Sequence, residues 1–190
     1  MGNKNSISVK IVYAFIAIII YVSPILSQTA DTSTNHQVTT LLKLTVGQES
    51  GFEWEQKISR TATVSLFAGL GVGFLTDDFD YTAAIAIVPV FNVVYKKYYN
   101  LDMRIKNGKS IYHNSGNFLT AKVDIYMPVK DQNYIGIVFS EGWGLQRSIN
   151  KKINYEFVLG IAQHFFFDDP SQYPYVKLEP LVKVAFSYVL

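Results

Sequence analysis

The sequence predicts an all-β protein, an eight-stranded antiparallel up-and-down transmembrane β-barrel preceded by a cleavable signal peptide. Three observations lead to this prediction: an apolar leader at the N-terminus, strand-like stretches at short and regular spacing behind it, and a C-terminal stretch, residues 175–190, that alternates between apolar and polar side chains. Period-two alternation is typical of a strand with one face against an apolar phase and the other against a polar one. A tilted strand needs roughly 9–11 residues to cross a bilayer, so this stretch is long enough.

The first thirty residues have the pattern of an export signal. Lys4 and Lys10 form a basic region, residues 11–22 are an unbroken apolar run, and Ser23 and Pro24 end it. A membrane-spanning helix needs about 18 apolar residues or more, so the shorter run favours removal over the alternative, a retained membrane anchor.

Small residues follow the apolar run, and we place the cut after Ser27, with Ala30 as the second choice. The predicted domains are a signal peptide over 1–27, an N-terminal lead over 28–37 and an outer-membrane β-barrel over 38–190. Removing the leader takes two lysines and no acid from a chain of formal charge +2, so the mature protein is formally neutral. Nucleic-acid-binding proteins usually present a strongly basic face, so we predict no nucleic-acid partner.

Composition narrows the remaining classes. The chain has no cysteine, which excludes both a disulfide framework and a lipid-anchored lipoprotein. Apolar residues make up 49% of the sequence, yet behind the leader no run approaches the length of a spanning helix. High but alternating apolar content behind an export signal leaves a membrane β-barrel or a secreted soluble β-barrel.

Eight strand-like stretches follow the leader, an even number as in single-chain bacterial barrels. The sequence does not assign the register of the first, second or fourth, and the fourth is apolar on both faces around Pro89. The predicted strands are Val38–Val46, Gly51–Lys57, Thr61–Leu75, Tyr81–Tyr98, Ser115–Met127, Asn133–Ser148, Lys152–Phe166 and Tyr173–Leu190.

Alternation assigns the faces of the other strands. The side chains predicted to face lipid are Ala62, Val64, Leu66, Ala68, Leu70, Val72 and Phe74 in the third strand, Leu119, Ala121, Val123 and Ile125 in the fifth, and Ile153, Tyr155, Phe157, Leu159 and Ile161 in the seventh. Those predicted to face inward include Thr61, Thr63, Ser65, Phe67, Gly69, Gly71 and Gly73, then Lys122 and Asp124, then Asn154, Glu156, Gly160 and His164.

The predicted turns alternate in charge, as turns at opposite ends of an up-and-down barrel can, except for the fifth, which is mixed with Lys130 and Asp131. The second, fourth and sixth are basic, with Lys57 and Arg60, then Lys96, Lys97, Arg104, Lys106 and Lys109, then Arg147, Lys151 and Lys152. The first, third and seventh are acidic, with Glu49, then Asp77, Asp78 and Asp80, then Asp168 and Asp169. We predict that both termini and the basic turns are periplasmic and that the acidic turns are external.

Aromatic residues are expected at both membrane–water boundaries, where amphipathic rings are enriched. We assign Phe79, Tyr81, Tyr134, Phe165, Phe167 and Tyr173 to the outer boundary and Trp54, Tyr98, Tyr99, Trp143 and Tyr188 to the inner one. Ordinary core aromatics of a soluble barrel are the alternative interpretation.

The lumen is expected to hold charged residues of both signs: Lys43, Lys122, Lys177, Lys183, Glu53, Glu55, Asp124, Glu156 and Glu179. An eight-stranded barrel is just wide enough for side chains to fill, so these charges predict a cross-linked polar plug and no open pore. A proton or ion path is the alternative.

Two groups of residues have side chains that a chemical site could use. His164, with Ser171 and Asp168 nearby in the sequence, has residue types that a hydrolase uses, but no Gly-x-Ser-x-Gly signature accompanies them. Asp77, Asp78 and Asp80 could hold a divalent cation through carboxylate oxygens, but they lack the glycine and distal glutamate of a calcium loop. We therefore predict no catalytic residues, no metal site and no cofactor.

The most distinctive stretch runs from Tyr98 to Lys109, in which Asn100 is expected to cap a short helix that ends at Gly108. The stretch precedes Asn114-Ser115-Gly116-Asn117-Phe118-Leu119, and Trp143-Gly144-Leu145-Gln146-Arg147 comes later. Together these segments resemble outer-membrane β-barrel proteins of Bacteroidetes-type bacteria. The resemblance implies a small outer-membrane barrel without catalytic residues to carry over. The chain departs from such proteins in ending at Leu190, since they commonly end in an aromatic residue that the barrel assembly machinery recognises.

The sequence thus predicts a non-enzymatic structural or surface protein of the bacterial outer membrane. Its expected partners are outer-membrane lipids, lipopolysaccharide and, during insertion, the barrel assembly machinery. Two alternatives stay open: a lipid-A-modifying or phospholipid-cleaving barrel enzyme acting at His164, and a soluble lipocalin-like carrier in the periplasm.

Overall fold

Eight antiparallel strands pair with their sequence neighbours, and the barrel closes where the last strand pairs with the first. The computed structural model describes residues 39–76, 83–127, 136–165 and 176–190. The strands are β1 (Thr40–Gly47), β2 (Glu49–Ser59), β3 (Ala62–Thr76), β4 (Ala83–Tyr98), β5 (Gly116–Tyr126), β6 (Gly136–Ser148), β7 (Ile153–Phe165) and β8 (Val176–Val189). The predicted closed, all-β, eight-stranded antiparallel barrel is confirmed. The predicted signal peptide and lead, residues 1–37, lie outside the described residues.

The barrel has two distinct ends. At one, here called the terminal end, lie the start of β1, the end of β8, the β2–β3 turn, residues 99–115 and the β6–β7 turn. At the other, here called the loop end, lie the β1–β2 turn and the strand ends at Thr76, Tyr126 and Phe165. Most of the connections at the loop end fall outside the described residues, and with them Asp77, Asp78, Asp80, Asp168 and Asp169.

The pairing of β3 with β4 settles the register that alternation left open. Thr63 lies opposite Lys96 and Phe67 lies opposite Asn92, so the even-numbered side chains of β4 share the inner face with the odd-numbered ones of β3. The inner valines of β4 are buried, whereas Ile87 on its outer face is 64% exposed. Alternation failed here because both faces of β4 are apolar, and burial alone separates them.

The outer face of the barrel is apolar and exposed. Seven of the eight strands expose large apolar residues there: Leu42, Leu44, Phe52, Leu70, Val72, Ile87, Phe91, Leu119, Leu159, Ile161, Leu178, Val182, Val184 and Phe186. The outward apolar residues of β6 are half-buried. The predicted outward faces of β3, β5 and β7 and the alternation of β8 are confirmed, except at Ala62, which was expected to face lipid and is only 3% exposed at the start of β3. Glu141 is an exception on the outer face of β6, where it lies opposite Ala121 and Ile161.

Residues 99–115 fold over the terminal end. They contain a short helix, α1 (Leu101–Lys106), and a 3₁₀ turn, Tyr112–Asn114. The predicted helix is confirmed, but its predicted side-chain cap is wrong: Asn100 makes no cap bond, and its Oδ1 accepts a hydrogen bond from the backbone N–H of Asn117 at 2.8 Å. Neither helical segment in the described part of the chain has the length and composition needed to cross a bilayer.

A small apolar cluster closes the terminal end from within. It consists of Tyr98, Leu101, Ile111, Phe118 and Val158, all nearly or fully buried. The prediction that Tyr98 lies at the inner membrane boundary is therefore wrong, because Tyr98 is on the inner face of β4 and packs edge-to-face on Phe118 at 5.4 Å. The adjacent Tyr99 is exposed, and the two neighbours face opposite sides of the barrel wall.

Candidate functional site: the charged interior and its plug

A buried ion-pair network fills the barrel at the level where β1 and β2 pair. Lys43 lies opposite Glu53, and its Nζ is 2.8 Å from Glu53 Oε1 and 2.7 Å from Glu55 Oε2. All three side chains are under 10% exposed. A carboxylate or ammonium group buried this deeply is tolerated only when it is paired and hydrogen-bonded, and each of the three meets that condition.

Lys96 extends this network across the barrel to β7. Its ammonium group is ion-paired with Glu156, lies 3.9 Å from Glu53 Oε1 and donates a hydrogen bond of 3.1 Å to Gln146 Oε1. Glu156 also binds Lys183 Nζ, at 3.0 Å. The central cluster therefore holds three lysines and three glutamates that connect five strands, and its formal charges cancel.

A second charged cluster lies nearer the loop end. Lys122 Nζ is 2.8 Å from Glu49 Oε2 and 2.7 Å from Asp124 Oδ1, so one ammonium group bridges two carboxylates. Asn92 Nδ2 and Tyr126 OH donate further hydrogen bonds to the Glu49 carboxylate, at 3.1 and 3.3 Å. These bonds connect β2, β4 and β5 through the interior.

Seven of the nine predicted lumen charges are confirmed as largely buried, whereas Lys177 and Glu179 share the inner face but are 60% and 39% exposed at the loop end. Two further interior charges are residues that sequence reasoning placed in turns. Lys96 and Glu49 were expected in the fourth and first turns, but both are strand residues that point inward. Lys96 lies four residues from the inward Asn92, so strict alternation along β4 could have found it. The adjacent Lys97 obscured that signal, because two neighbouring lysines look like a solvated turn.

His164 lies on the inner face of β7 at the loop end, as predicted. Its Nε2 is 3.3 Å from Glu179 Oε2, and Lys177 Nζ is 2.6 Å from the other oxygen of the same carboxylate. Ser171 and Asp168, which a hydrolase at His164 would use, lie outside the described residues. Within the described ranges, no group of three or more potential ligands is arranged to hold a metal ion.

Sequence reasoning missed one feature, a segment at the terminal end (residues 111–115, here called the plug) whose side chains enter the barrel. His113 and Asn114 both adopt positive φ angles, 48° and 60°, and both are buried. Asn114 Nδ2 donates to Glu55 Oε1 at 2.7 Å, and Gln146 Nε2 donates to the backbone carbonyl of His113 at 2.7 Å. Left-handed backbone at two successive non-glycine residues costs of order 1–3 kcal/mol each, so these bonds to the barrel interior hold the segment in place.

The His113 ring is buried and hydrogen-bonded to Asn154. Its Nδ1 lies 3.2 Å from Asn154 Oδ1, which accepts a hydrogen bond, so Nδ1 carries a hydrogen. Burial lowers the pKa of His113, and the hydrogen bond to Asn154 opposes that shift only in part. The buried plug therefore disfavours protonation of its own histidine.

This arrangement makes the stability of the plug depend on pH. An unfolded histidine has a pKa of about 6.5, so the unfolded chain binds more protons than the folded one and the free energy of unfolding rises with pH. The contribution of His113 to the free energy of unfolding is complete above pH 6.5. It is lost as the pH falls from there toward the lower pKa of His113 in the folded protein. We expect His113→Asn, which tolerates positive φ, to reduce the fall in unfolding midpoint between pH 7 and pH 5.

The measurement is denaturant unfolding of the refolded protein, followed by tryptophan fluorescence at each pH. His164→Asn is the matched control, since it removes a histidine outside the plug and should leave the contribution of His113 in place. A His113→Asn profile parallel to that of the unaltered protein would contradict the assignment.

The carboxylates of the two clusters each contact an ammonium group, and the hydroxyl of Tyr98 is enclosed near Glu55 and Gln146 at 3.4 and 3.5 Å. What the arrangement does is join opposite walls of the barrel.

Comparison with known proteins identifies no relative: no family model matches the chain, and no curated protein or solved structure matches it significantly.

Proposed function

We propose that this protein is a small β-barrel of the bacterial outer membrane with a side-chain-filled lumen, serving a structural or surface role. The observation that carries the proposal is the reversal of polarity across the barrel wall. Exposed aliphatic and aromatic side chains cover the outside, while paired lysines and glutamates are buried inside. Contiguous exposed apolar surface of this extent in a monomer marks a contact with another apolar phase, and here it surrounds the barrel.

Interfacial residues support the same proposal. Trp143 and Tyr188 lie on the outer face toward the terminal end, and the exposed Tyr99 accepts a hydrogen bond from Trp143. Indole and phenol rings favour the depth at which lipid headgroups meet hydrocarbon. We infer that both termini face the periplasm and that lipids, lipopolysaccharide and the assembly machinery are the partners.

A charged side chain on the outer wall tests membrane insertion. Ala68 is exposed at mid-strand, between Phe52 and Phe91 on the neighbouring strands. In a membrane, Ala68→Arg is expected to destabilise the barrel by about 2–4 kcal/mol, measured by denaturant unfolding in phospholipid vesicles. In a soluble barrel the same surface change would stay within about 0.5 kcal/mol.

Two controls accompany this variant. Ala68→Leu adds bulk without charge at the same site, and Gln163→Arg adds the charge near the loop end, where the cost falls to roughly 0–1 kcal/mol in a membrane. Equal tolerance of Ala68→Arg and Gln163→Arg, with release of the protein in periplasmic extracts without detergent, would favour the soluble carrier instead.

The sealed lumen has its own test. Fully buried side chains such as Lys43, Lys96, Tyr98 and Phe118 occupy the interior, so reconstituted protein is expected to give no steady single-channel conductance in planar bilayers. A reproducible conductance would support the ion-path alternative. The enzyme alternative predicts changed envelope lipids by mass spectrometry when the unaltered protein, but not His164→Ala, is expressed.

A further inference from the structure

Two arginines at the terminal end share one patch of the surface. Arg104 lies in α1, and Arg147 lies near the end of β6 on the outer face, opposite Tyr155 of β7. Asn117 and Asn100 connect the two arginines: Asn117 accepts a hydrogen bond from Arg147, and its backbone N–H donates to Asn100 Oδ1 at 2.8 Å. The backbone N–H of Arg104 donates to the carbonyl of the same Asn100 at 3.0 Å. Burial and then the positive charge of Arg147 lower the pKa of Arg104, in keeping with this shared position.

Uncharged acceptors hold both guanidinium groups. Arg147 donates to the carbonyls of Gly116 and Gln146 at 2.8 and 2.7 Å, and to Asn117 Oδ1 at 2.5 Å. Arg104 donates through Nε and Nη2 to the carbonyl of Ser110, at 3.1 and 2.6 Å. In the described part of the chain, no carboxylate lies within ion-pair distance of either arginine.

The nearby acids are engaged or distant. Asp102 of α1 is ion-paired with Arg60 at 2.7 Å. Glu141 shares the outer face of β6 with Arg147 but is six residues away, roughly 20 Å at the rise of an extended strand. Two like charges are thus positioned by fixed polar contacts and left without a counterion from the described residues.

The surroundings of the pair continue into the apolar wall. Trp143 Nε1 donates to Tyr99 OH at 2.6 Å, and Asn117 Nδ2 lies 3.4 Å from the same oxygen. On the side toward mid-strand, the next outward pairs along β6 and β7 are Leu145 with Phe157 and Trp143 with Leu159. Cations, amphipathic rings and aliphatic side chains therefore follow one another along a single face.

We propose that Arg104 and Arg147 bind the phosphate of an anionic membrane lipid whose acyl chains lie along the outer face of β6 and β7. Guanidinium groups suit phosphate because their planar donors match its oxygens, and a bound phosphate would relieve the repulsion between the two cations. The apolar pairs next to the site are the reason for a lipid over a free anion. This inference rests on the proposed membrane function.

The test uses the full mature protein in detergent with added phosphatidylglycerol, and native mass spectrometry measures the retained lipid. Each basic residue near a charged membrane surface contributes about 1 kcal/mol, so Arg104→Gln with Arg147→Gln is expected to weaken retention about thirtyfold. Lys106→Gln with Lys109→Gln is the matched control, because it removes the same charge from exposed positions of the same segment and should retain the lipid.

Several outcomes would overturn the assignment. If the arginine variant retains as much phosphatidylglycerol as the unaltered protein, the two arginines do not bind the lipid. If the lysine control loses as much lipid as the arginine variant, retention depends on overall positive charge and not on this site. Displacement of phosphatidylglycerol by millimolar inorganic phosphate would indicate a free-anion site. Vesicle insertion of both variants is measured separately, so failure of the unaltered protein to insert would count against the proposed function, whereas insertion with unchanged retention would count only against the lipid site.

Discussion

Replacing Lys96 with Met is expected to destabilise the barrel by about 3–5 kcal/mol, because it leaves buried carboxylates without their shared cation. Lys96 is 1% exposed, and its ammonium group is ion-paired with Glu156 and lies near Glu53. Met has similar length and keeps the packing against Phe118, whose ring centre is 5.2 Å from Lys96 Nζ. The effect is therefore electrostatic, and it leaves three glutamates with two lysines in the central cluster.

Lys97 is the matched control on the same strand. Its side chain is exposed, and its Nζ bonds only to Thr61 Oγ1 within the described residues, at 2.8 Å. Lys97→Met should change the free energy of unfolding by no more than about 0.5 kcal/mol. Denaturant unfolding in phospholipid vesicles measures both, with the boiled and unboiled electrophoretic mobilities as a check on folding.

A second variant separates charge from packing. Adding Glu156→Gln to Lys96→Met removes one carboxylate along with the cation, and should recover part of the lost stability because the central cluster becomes balanced again. If Lys96→Met matches Lys97→Met, or if the double variant is no more stable than Lys96→Met, the ion pairs are not what holds the interior together.

The barrel could be predicted from the sequence because its two faces differ so strongly in polarity. In β3, β5, β7 and β8 nearly every second residue is apolar, and a one-residue slip would move charges such as Lys122 and Asp124 to the apolar side. The alternation therefore fixes both the strand and its face. In β4 the inner valines are as apolar as the outer residues, and the register could be set only by pairing with β3.

The plug could not be predicted in the same way. Asn114 and Glu55 are 59 residues apart, and nothing local in residues 111–115 indicates that the chain turns into the barrel. Asparagine and histidine tolerate positive φ better than most residues, but that tolerance is equally typical of an exposed turn. The contact depends on closure of the whole barrel, which brings β2 and the β4–β5 connection to the same end.

Two glycine pairs shape the barrel wall. Gly51 lies opposite Gly69 between β2 and β3, and Gly142 lies opposite Gly160 between β6 and β7. In an eight-stranded barrel these two seams are on opposite sides. A side-chain carbon placed on any of the four would come within 2.4 Å of a backbone oxygen of the neighbouring strand. At these two opposite positions the neighbouring strands therefore approach so closely that only glycine fits.

Gly160→Ala is consequently expected to destabilise the closed barrel by at least about 3 kcal/mol, at the upper end of the range for overpacking. The added carbon would lie 2.0 Å from the carbonyl oxygen of Glu141 and 2.7 Å from Gly142 Cα, and backbone cannot move aside as a flexible side chain can. Relief requires separating β6 from β7, which also moves Glu156 away from Lys96. The loss should therefore appear both in the unfolding free energy and as a smaller folded fraction on unboiled gels.

Gly136→Ala on β6 is the matched control, since the nearest atom to its added carbon is Tyr126 Cβ at 3.5 Å, an ordinary van der Waals contact. It shares the inner face and the strand of Gly142 but lies at the loop end, away from the close approach. We expect it to fold like the unaltered protein, and even to gain slightly because alanine restricts the unfolded chain. Equal stability of the two alanine variants would mean that β6 and β7 do not approach this closely in the folded protein. The opposed glycine pairs would then have no part in closing the barrel around its ion pairs.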